Sequence, residues 1–229
     1  MESVYESVHD VRDKCRGQVL EGCLVQRADL GVLDFSEFVL DRVAFKSVGL
    51  VGVRFSRTLL LANSFTGAQL RKAAFHGAQL RSTSILNSEA IEADFEGAAI
   101  EGCKFFDSRF ANARFVEAHL LNCRFGGADL HGATFERATI MHSQFSDSRM
   151  VNAQMSGVSF RGAVLVDVDL QGANLYGADF RDALVVKADL RDANLMNARF
   201  EGATFVETST ERADMEPAAR ALLSGRRAS

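Results

Sequence analysis

The chain has one proline, no tryptophan and two tyrosines. Its apolar runs are only a few residues long. A helix needs about 20 consecutive apolar residues to cross a bilayer, so no membrane-spanning segment is expected. The catalytic signatures GxSxG, P-loop, HExxH and CxxC are all missing, which leaves hydrolase, nucleotide-phosphate and zinc-protease chemistry without support. Charge of one sign is also scarce, with 26 Lys and Arg against 30 Asp and Glu, a net of -4. Nucleic-acid binding needs a basic stripe, so direct contact with DNA or RNA is not expected. The start of the chain, Met1 to Glu6, has neither a basic n-region nor an apolar h-region, so no Sec signal is expected and a cytoplasmic location is the default.

What is present is a period. Every fifth residue from Leu20 to Phe205 is apolar, 38 positions without a slip, and 16 of the 18 phenylalanines fall there. Two residues before each lies a small residue, alanine at 20 of the 38 sites and otherwise mostly Ser, Thr, Cys or Val. Two residues after the large one, glycine recurs: 14 of the 18 glycines occupy that place. Strand side chains alternate with period two, so the small and the large residue share a face. A turn must then redirect the chain, and glycine is the residue best suited to a tight one. Period five fits neither an α-helix nor a plain strand. It fits short extended sides joined by corners, the small residue making room for the large one in a narrow core.

Segments such as Ala173-Asn174-Leu175-Tyr176-Gly177 and Ala188-Asp189-Leu190-Arg191-Asp192 resemble the A(D/N)LXX unit of the pentapeptide-repeat family. The resemblance implies an all-β fold, a right-handed quadrilateral parallel β-helix with four pentapeptides per coil and short terminal capping helices. At about 4.8 Å between strands, roughly nine coils make a rod about 45 Å long. Repeat stacks of this kind need capped ends. A capping helix is expected in residues 1–14, where Val4, Val8 and Val11 have helical spacing, with the β-helix at 15–208. Residues 209–229 are expected to form a C-terminal helix and tail: the repeat stops at Thr210, Met215, Leu222 and Leu223 form a helical stripe, Pro217 suits a first turn, and Arg226 and Arg227 lie in an unstructured end.

The four cysteines follow the repeat. Cys23, Cys103 and Cys123 take the small position and Cys15 the large one, as small buried hydrophobes rather than metal ligands or disulfides. His76, His119, His131 and His142 fall on outward positions and read as surface residues. No cofactor, metal or catalytic residue is expected, and a solenoid filled by Phe and Leu has no interior pocket.

Function is therefore left to the outward residues. If a coil has 20 residues, Val164, Val166, Leu184, Val186 and Val206 stack on one face. With Met215, Leu222 and Leu223 they form a candidate homodimer interface, and the resemblance implies dimers formed at C-terminal ends. A second apolar group, Val19, Val39, Leu59 and Leu61, is a candidate seat for the N-terminal helix. The most acidic face carries Asp29, Glu89, Glu92, Asp129, Asp169, Asp189 and Asp192 against five bases. Pentapeptide-repeat proteins that bind type II topoisomerases present an acidic rod like duplex DNA. The unbroken register resembles the loop-free, gyrase-interacting members. Two expectations stand: a non-enzymatic DNA mimic that modulates or protects DNA gyrase or topoisomerase IV against poisons, and a protein-interaction scaffold, regulatory partner or secretion-system effector unrelated to DNA. The poor pattern at 83–90 marks a loosened coil, a bulge or a contact site.

Overall fold

The computed structural model describes residues 3–15 and 17–224. The chain winds into a parallel β-solenoid of about ten turns. Each strand pairs with the segment twenty residues on: Phe45 lies beside Phe65, Phe125 beside Phe145 and Leu165 beside Val185. Two sides of the rod are sheets. One has eleven strands, from Ser3–Tyr5 to Thr204–Val206, and the other seven, from Val19–Glu21 to Thr139–Met141. The remaining two sides are ladders of single bridges. The first runs from Asp29 through Gly49 and Gln69 to Ser209, the second from Asp34 through Arg54 and Ala74 to Asp214. The four-sided parallel β-helix that the family resemblance implied is thus what the chain forms.

The inward positions make one continuous core. Phe35, Phe55, Phe75, Phe95, Phe115 and Phe135 stack in a column with ring centroids 4.6–5.3 Å apart and planes within 8°. That spacing matches the rise of about 4.8 Å between neighbouring strands, so identical residues in consecutive coils are brought into ring-stacking distance. Edge-to-face contacts such as Phe55 with Phe65 tie one column to the next.

The corners explain which small residue sits where. At a corner such as Leu50–Val53, the Val53 N–H donates back to Leu50 O, a β-turn with Gly52 at φ +67°. An inward alanine or valine then leaves nothing unsatisfied. The two corners that flank the eleven-stranded side differ: after it, Ala68 N–H donates to Ser88 Oγ of the next coil at 3.0 Å, and the corner before it, between the seven- and eleven-stranded sides, behaves likewise. There Val43 N–H donates to the Asn63 side chain of the next coil at 2.8 Å, and Cys123 N–H to Ser143 Oγ at 3.0 Å. The small positions at this corner are Cys23 and Val43, then Asn63, Thr83, Cys103, Cys123 and Ser143, all buried. From Phe160 onward the same corner becomes the β-turn type, with Ala163, Ala183 and Ala203 donating to the carbonyl three residues back, and the small residue is alanine each time. A buried backbone donor needs a partner; where the turn does not supply one, as at Val43, Ala68, Ser88 and Cys123, a polar side chain of the next coil does. The irregular stretch at 83–90 is part of this pattern. Thr83 and Ser88 are corner residues, Ile85 and Ala90 are fully buried, and Ser84 keeps its register with Ser64 and Lys104, so the coil is not bulged.

Both ends differ from expectation in detail. The N-terminal helix α1 covers only Val8–Lys14, capped by the Ser7 side chain accepting from Asp10 N–H. Residues Ser3–Tyr5, expected in that helix, form a strand on the eleven-stranded side, pairing with Cys23–Val25. The first coil would otherwise leave a sheet edge open, and Val4 and Tyr5 suit a strand. Val11 is fully buried against the core, whereas Val19 stays 43% exposed, so α1 does not cover the apolar group headed by Val19. At the other end the solenoid runs further than 208. Ala213-Asp214-Met215 completes one more unit, Asp214 bridging Asn194 and Met215 filling the core at 6% exposure. Met215 is therefore a core residue and not part of the terminal helix α2, which spans Pro217–Ser224. Thr210 in a large position hid this last unit. The expectation for Arg226 and Arg227 lies outside the described residues.

Candidate binding faces

The 20-residue coil decides which outward residues meet. On the eleven-stranded side Val164 pairs with Leu184, and Val166, Val186 and Val206 form a column of cross-strand neighbours. Five of the eight candidate interface residues are therefore brought together. The other three are not: Met215 is in the core, Leu223 packs against it, and Leu222, 39% exposed, lines a cleft of about 430 Å³ between α2 and the last coil with Phe200, Ala203, Ala219, Arg199 and Glu216.

The apolar column does not start at Val166. Leu86 and Phe106 stand in it on adjacent strands, and Gly126 and Ser146 connect them to Val166. No outward strand position on this side between Leu24 and Val206 holds an acid. Three hold cations: Lys46, Lys104 and Arg124, all exposed. None of the three has an ion pair among the described residues. Sequence reading saw only the lower end of this surface, because Gly126 and Ser146 interrupt the apolar residues between Phe106 and Val166.

The two bridge sides are laced with ion pairs, and the seven-stranded side has fewer, such as Asp41 with Arg42 and Asp179 with Arg181. Of the seven acids on the first bridge side, Glu89 meets Arg109 at 3.1 Å, Asp129 meets Arg149 at 3.5 Å and Glu92 meets Lys72 at 3.3 Å. Asp189 meets Arg191 and Asp192 meets Arg212, at 2.5 and 2.6 Å, and the hydrogen bond from each arginine lowers its carboxyl pKa. Asp29 and Asp169 accept the backbone N–H of Gly31 and Gln171 instead. The same arrangement recurs on the second bridge side, where the Arg54 hydrogen bond brings Asp34 down to about 2. Exposed pairs of this kind contribute about 0–1 kcal/mol each to stability. Their larger effect is on the surface field, since each negative charge has a positive one beside it.

Among the histidines, His76 is the one with metal-ligating neighbours: Asp94 and Glu96 lie on the next coil of the second bridge side, with one ligand atom from each residue within 4.8 Å of the others. The cysteines behave as core residues. Burial raises Cys103 to about 12 and Cys123 to about 11, so neither presents a thiolate at neutral pH.

A solenoid whose interior is filled by its own side chains offers its faces and ends to partners, as repeat proteins of the binding class do. Two family descriptions match the chain. The pentapeptide repeat region covers residues 98–175, and pentapeptide repeats in eight copies cover 50–85, 68–107 and 173–209. The chain belongs to the pentapeptide-repeat family, whose members are generally structural or binding proteins. Similar solved structures include HetL, a pentapeptide repeat protein involved in heterocyst differentiation regulation from the cyanobacterium Nostoc sp. strain PCC 7120. It is 20% identical with a TM-score of 0.45, over 90% of this chain and 92% of that one. QnrB1, a plasmid-mediated fluoroquinolone resistance protein, is 17% identical with a TM-score of 0.30, over 71% of this chain and 95% of that one. No curated protein matches the chain. No helix among the described residues is long and apolar enough to cross a membrane.

Proposed function

We propose that this chain is a non-catalytic protein-binding rod whose docking surface is the eleven-stranded side. The observation that carries this reading is the contrast between the sides. The two bridge sides carry acid–base pairs formed within the chain, and the seven-stranded side keeps acids such as Asp41 and Glu101 on its strands. The eleven-stranded side has no acid on its strands between Leu24 and Val206, three cations without ion pairs among the described residues, and an apolar column from Leu86 and Phe106 to Val206 broken only by Gly126 and Ser146. A surface already neutralised by its own charges gains little from an oppositely charged partner. Cations without a partner and half-buried apolar groups gain more when covered. The lower part of the same column, Val164 to Val206, is where a second copy would pack in a homodimer.

The test is photo-crosslinking in the native cell. A crosslinker at Phe106 should trap a discrete partner and one at Tyr176, on the second bridge side, should not; equal trapping from both sides would refute the reading.

A second reading is modulation or protection of a type II topoisomerase by imitation of DNA. It is supported by membership of the family and by acids stacked on neighbouring coils, such as Asp169 and Asp189. The basic side chains beside five of the seven acids weigh against it, because duplex DNA presents one uncompensated charge per about 1.7 Å of axis. A supercoiling assay with purified gyrase and topoisomerase IV, with and without a quinolone, separates the two. No effect at micromolar protein sinks the mimicry and leaves the docking surface standing.

A further inference from the structure

Among the described residues, one group of metal-ligating side chains converges: His76, Asp94 and Glu96, with one ligand atom from each within 4.8 Å of the others. Two ladder features hold it. His76 and Glu96 are 20 residues apart, on adjacent coils in one column, and Asp94 lies two residues before Glu96, on the same outward face. The backbone beneath is pinned: Phe75 N–H donates to Asp94 O at 2.6 Å and Gly77 N–H to Glu96 O at 2.9 Å.

The carboxylates are also oriented. Asp94 Oδ1 accepts the Glu96 N–H at 3.1 Å, and Glu96 Oε2 accepts from Arg114 Nη2 at 2.5 Å. Each carboxylate so has one oxygen anchored, while no hydrogen bond is recorded to its other oxygen or to the His76 ring among the described residues. A ligating carboxylate is itself commonly hydrogen-bonded by an outer partner. Zinc binds nitrogen and oxygen ligands at about 2.0–2.2 Å, which sets neighbouring ligand atoms roughly 3 Å apart. Small rotations of exposed or half-buried side chains close that gap. One imidazole and two carboxylates form a donor set suited to a first-row divalent ion, and the nitrogen sets it apart from the all-oxygen sites that suit magnesium and calcium.

We propose that His76, Asp94 and Glu96 form a surface site for zinc or a similar first-row divalent cation, with its remaining positions open to water or to a carboxylate from a partner. The test is isothermal titration of the untagged full chain with zinc chloride, with magnesium chloride in parallel. One saturable zinc equivalent is expected. His76→Ala and Glu96→Gln should each weaken it at least tenfold, and His119→Ala, on another side, should leave it unchanged. His76→Ala and Glu96→Gln should also keep the metal-free melting curve of the parent, since His76 is exposed and Glu96 only half-buried. Absence of saturable zinc binding, equal binding of magnesium, or unchanged zinc binding in His76→Ala would each overturn the proposal.

Discussion

Replacing Asn63 with leucine keeps the branched shape of a buried side chain, adds some bulk and removes its polar end. Asn63 is 2% exposed, its Oδ1 accepts the Val43 N–H at 2.8 Å and its Nδ2 donates to Leu40 O at 2.8 Å. No other acceptor is recorded for Val43 N–H among the described residues, so the substitution buries an unpaired donor, at about 1–3 kcal/mol. Loss of the bond to Leu40 O adds about 0.5–1.5 kcal/mol. The extra apolar surface of leucine returns about 1–2 kcal/mol. The net expectation is a loss of about 1.5 kcal/mol, or several degrees in melting temperature for a chain of this size. Thermal unfolding followed by circular dichroism reads it directly. Ala73→Ser is the control: a hydroxyl there would face Val53 N–H of the preceding coil, which already donates to Leu50 O at 3.2 Å, so it has no backbone donor to satisfy and should not stabilise. If Asn63→Leu matches or exceeds the parent in stability, the polar side chains at this corner are not there to satisfy the backbone, and the account of the two corner types fails.

Three further outcomes are expected. Phe95→Ala removes a ring stacked on Phe75 at 4.6 Å and on Phe115 at 4.8 Å, and should cost about 3–5 kcal/mol in urea unfolding; a loss under 1 kcal/mol would mean the column collapses around the cavity. Gly132 has φ +65°, and a Cβ there would lie 2.4 Å from Asn112 Oδ1, so Gly132→Ala should destabilise by about 1–2 kcal/mol, whereas Ala62→Gly, at φ +52°, should be neutral or slightly stabilising in the same assay. The buried thiols set an alkaline limit. Cys103 and Cys123 are raised from 9.0 to about 12 and 11, so their contribution is complete below pH 9 and falls above it, as the unfolded chain ionises first. The urea midpoint should drop between pH 8.5 and about 10.5, and a Cys103→Ala, Cys123→Ala variant should drop less; equal drops would contradict the assignment.

The five-residue period determined a great deal without any structure. It placed Phe45, Leu70 and Phe95 inside, put Cys103 and Cys123 in small core positions, and ruled out an interior pocket. These are local consequences: alternation and residue size decide which way a side chain points. The period could not say how many units close one coil, nor which corner leaves its N–H unpaired. That is why Asn63, Thr83 and Ser143 looked like exceptions to alanine, and why Met215 was read as helical once Thr210 interrupted the large apolar series.

Neighbour relations belong to the tertiary structure. Parallel pairing at a 20-residue step brings Phe106 into line with Val166, sets Arg109 beside Glu89, and puts His76 near Asp94 and Glu96. None of these contacts is local in sequence, and each depends on coil length. The sequence alone therefore determined what fills the rod. Only the closed coil decided what its surface offers, because a face is made of residues that meet across coils rather than along the chain.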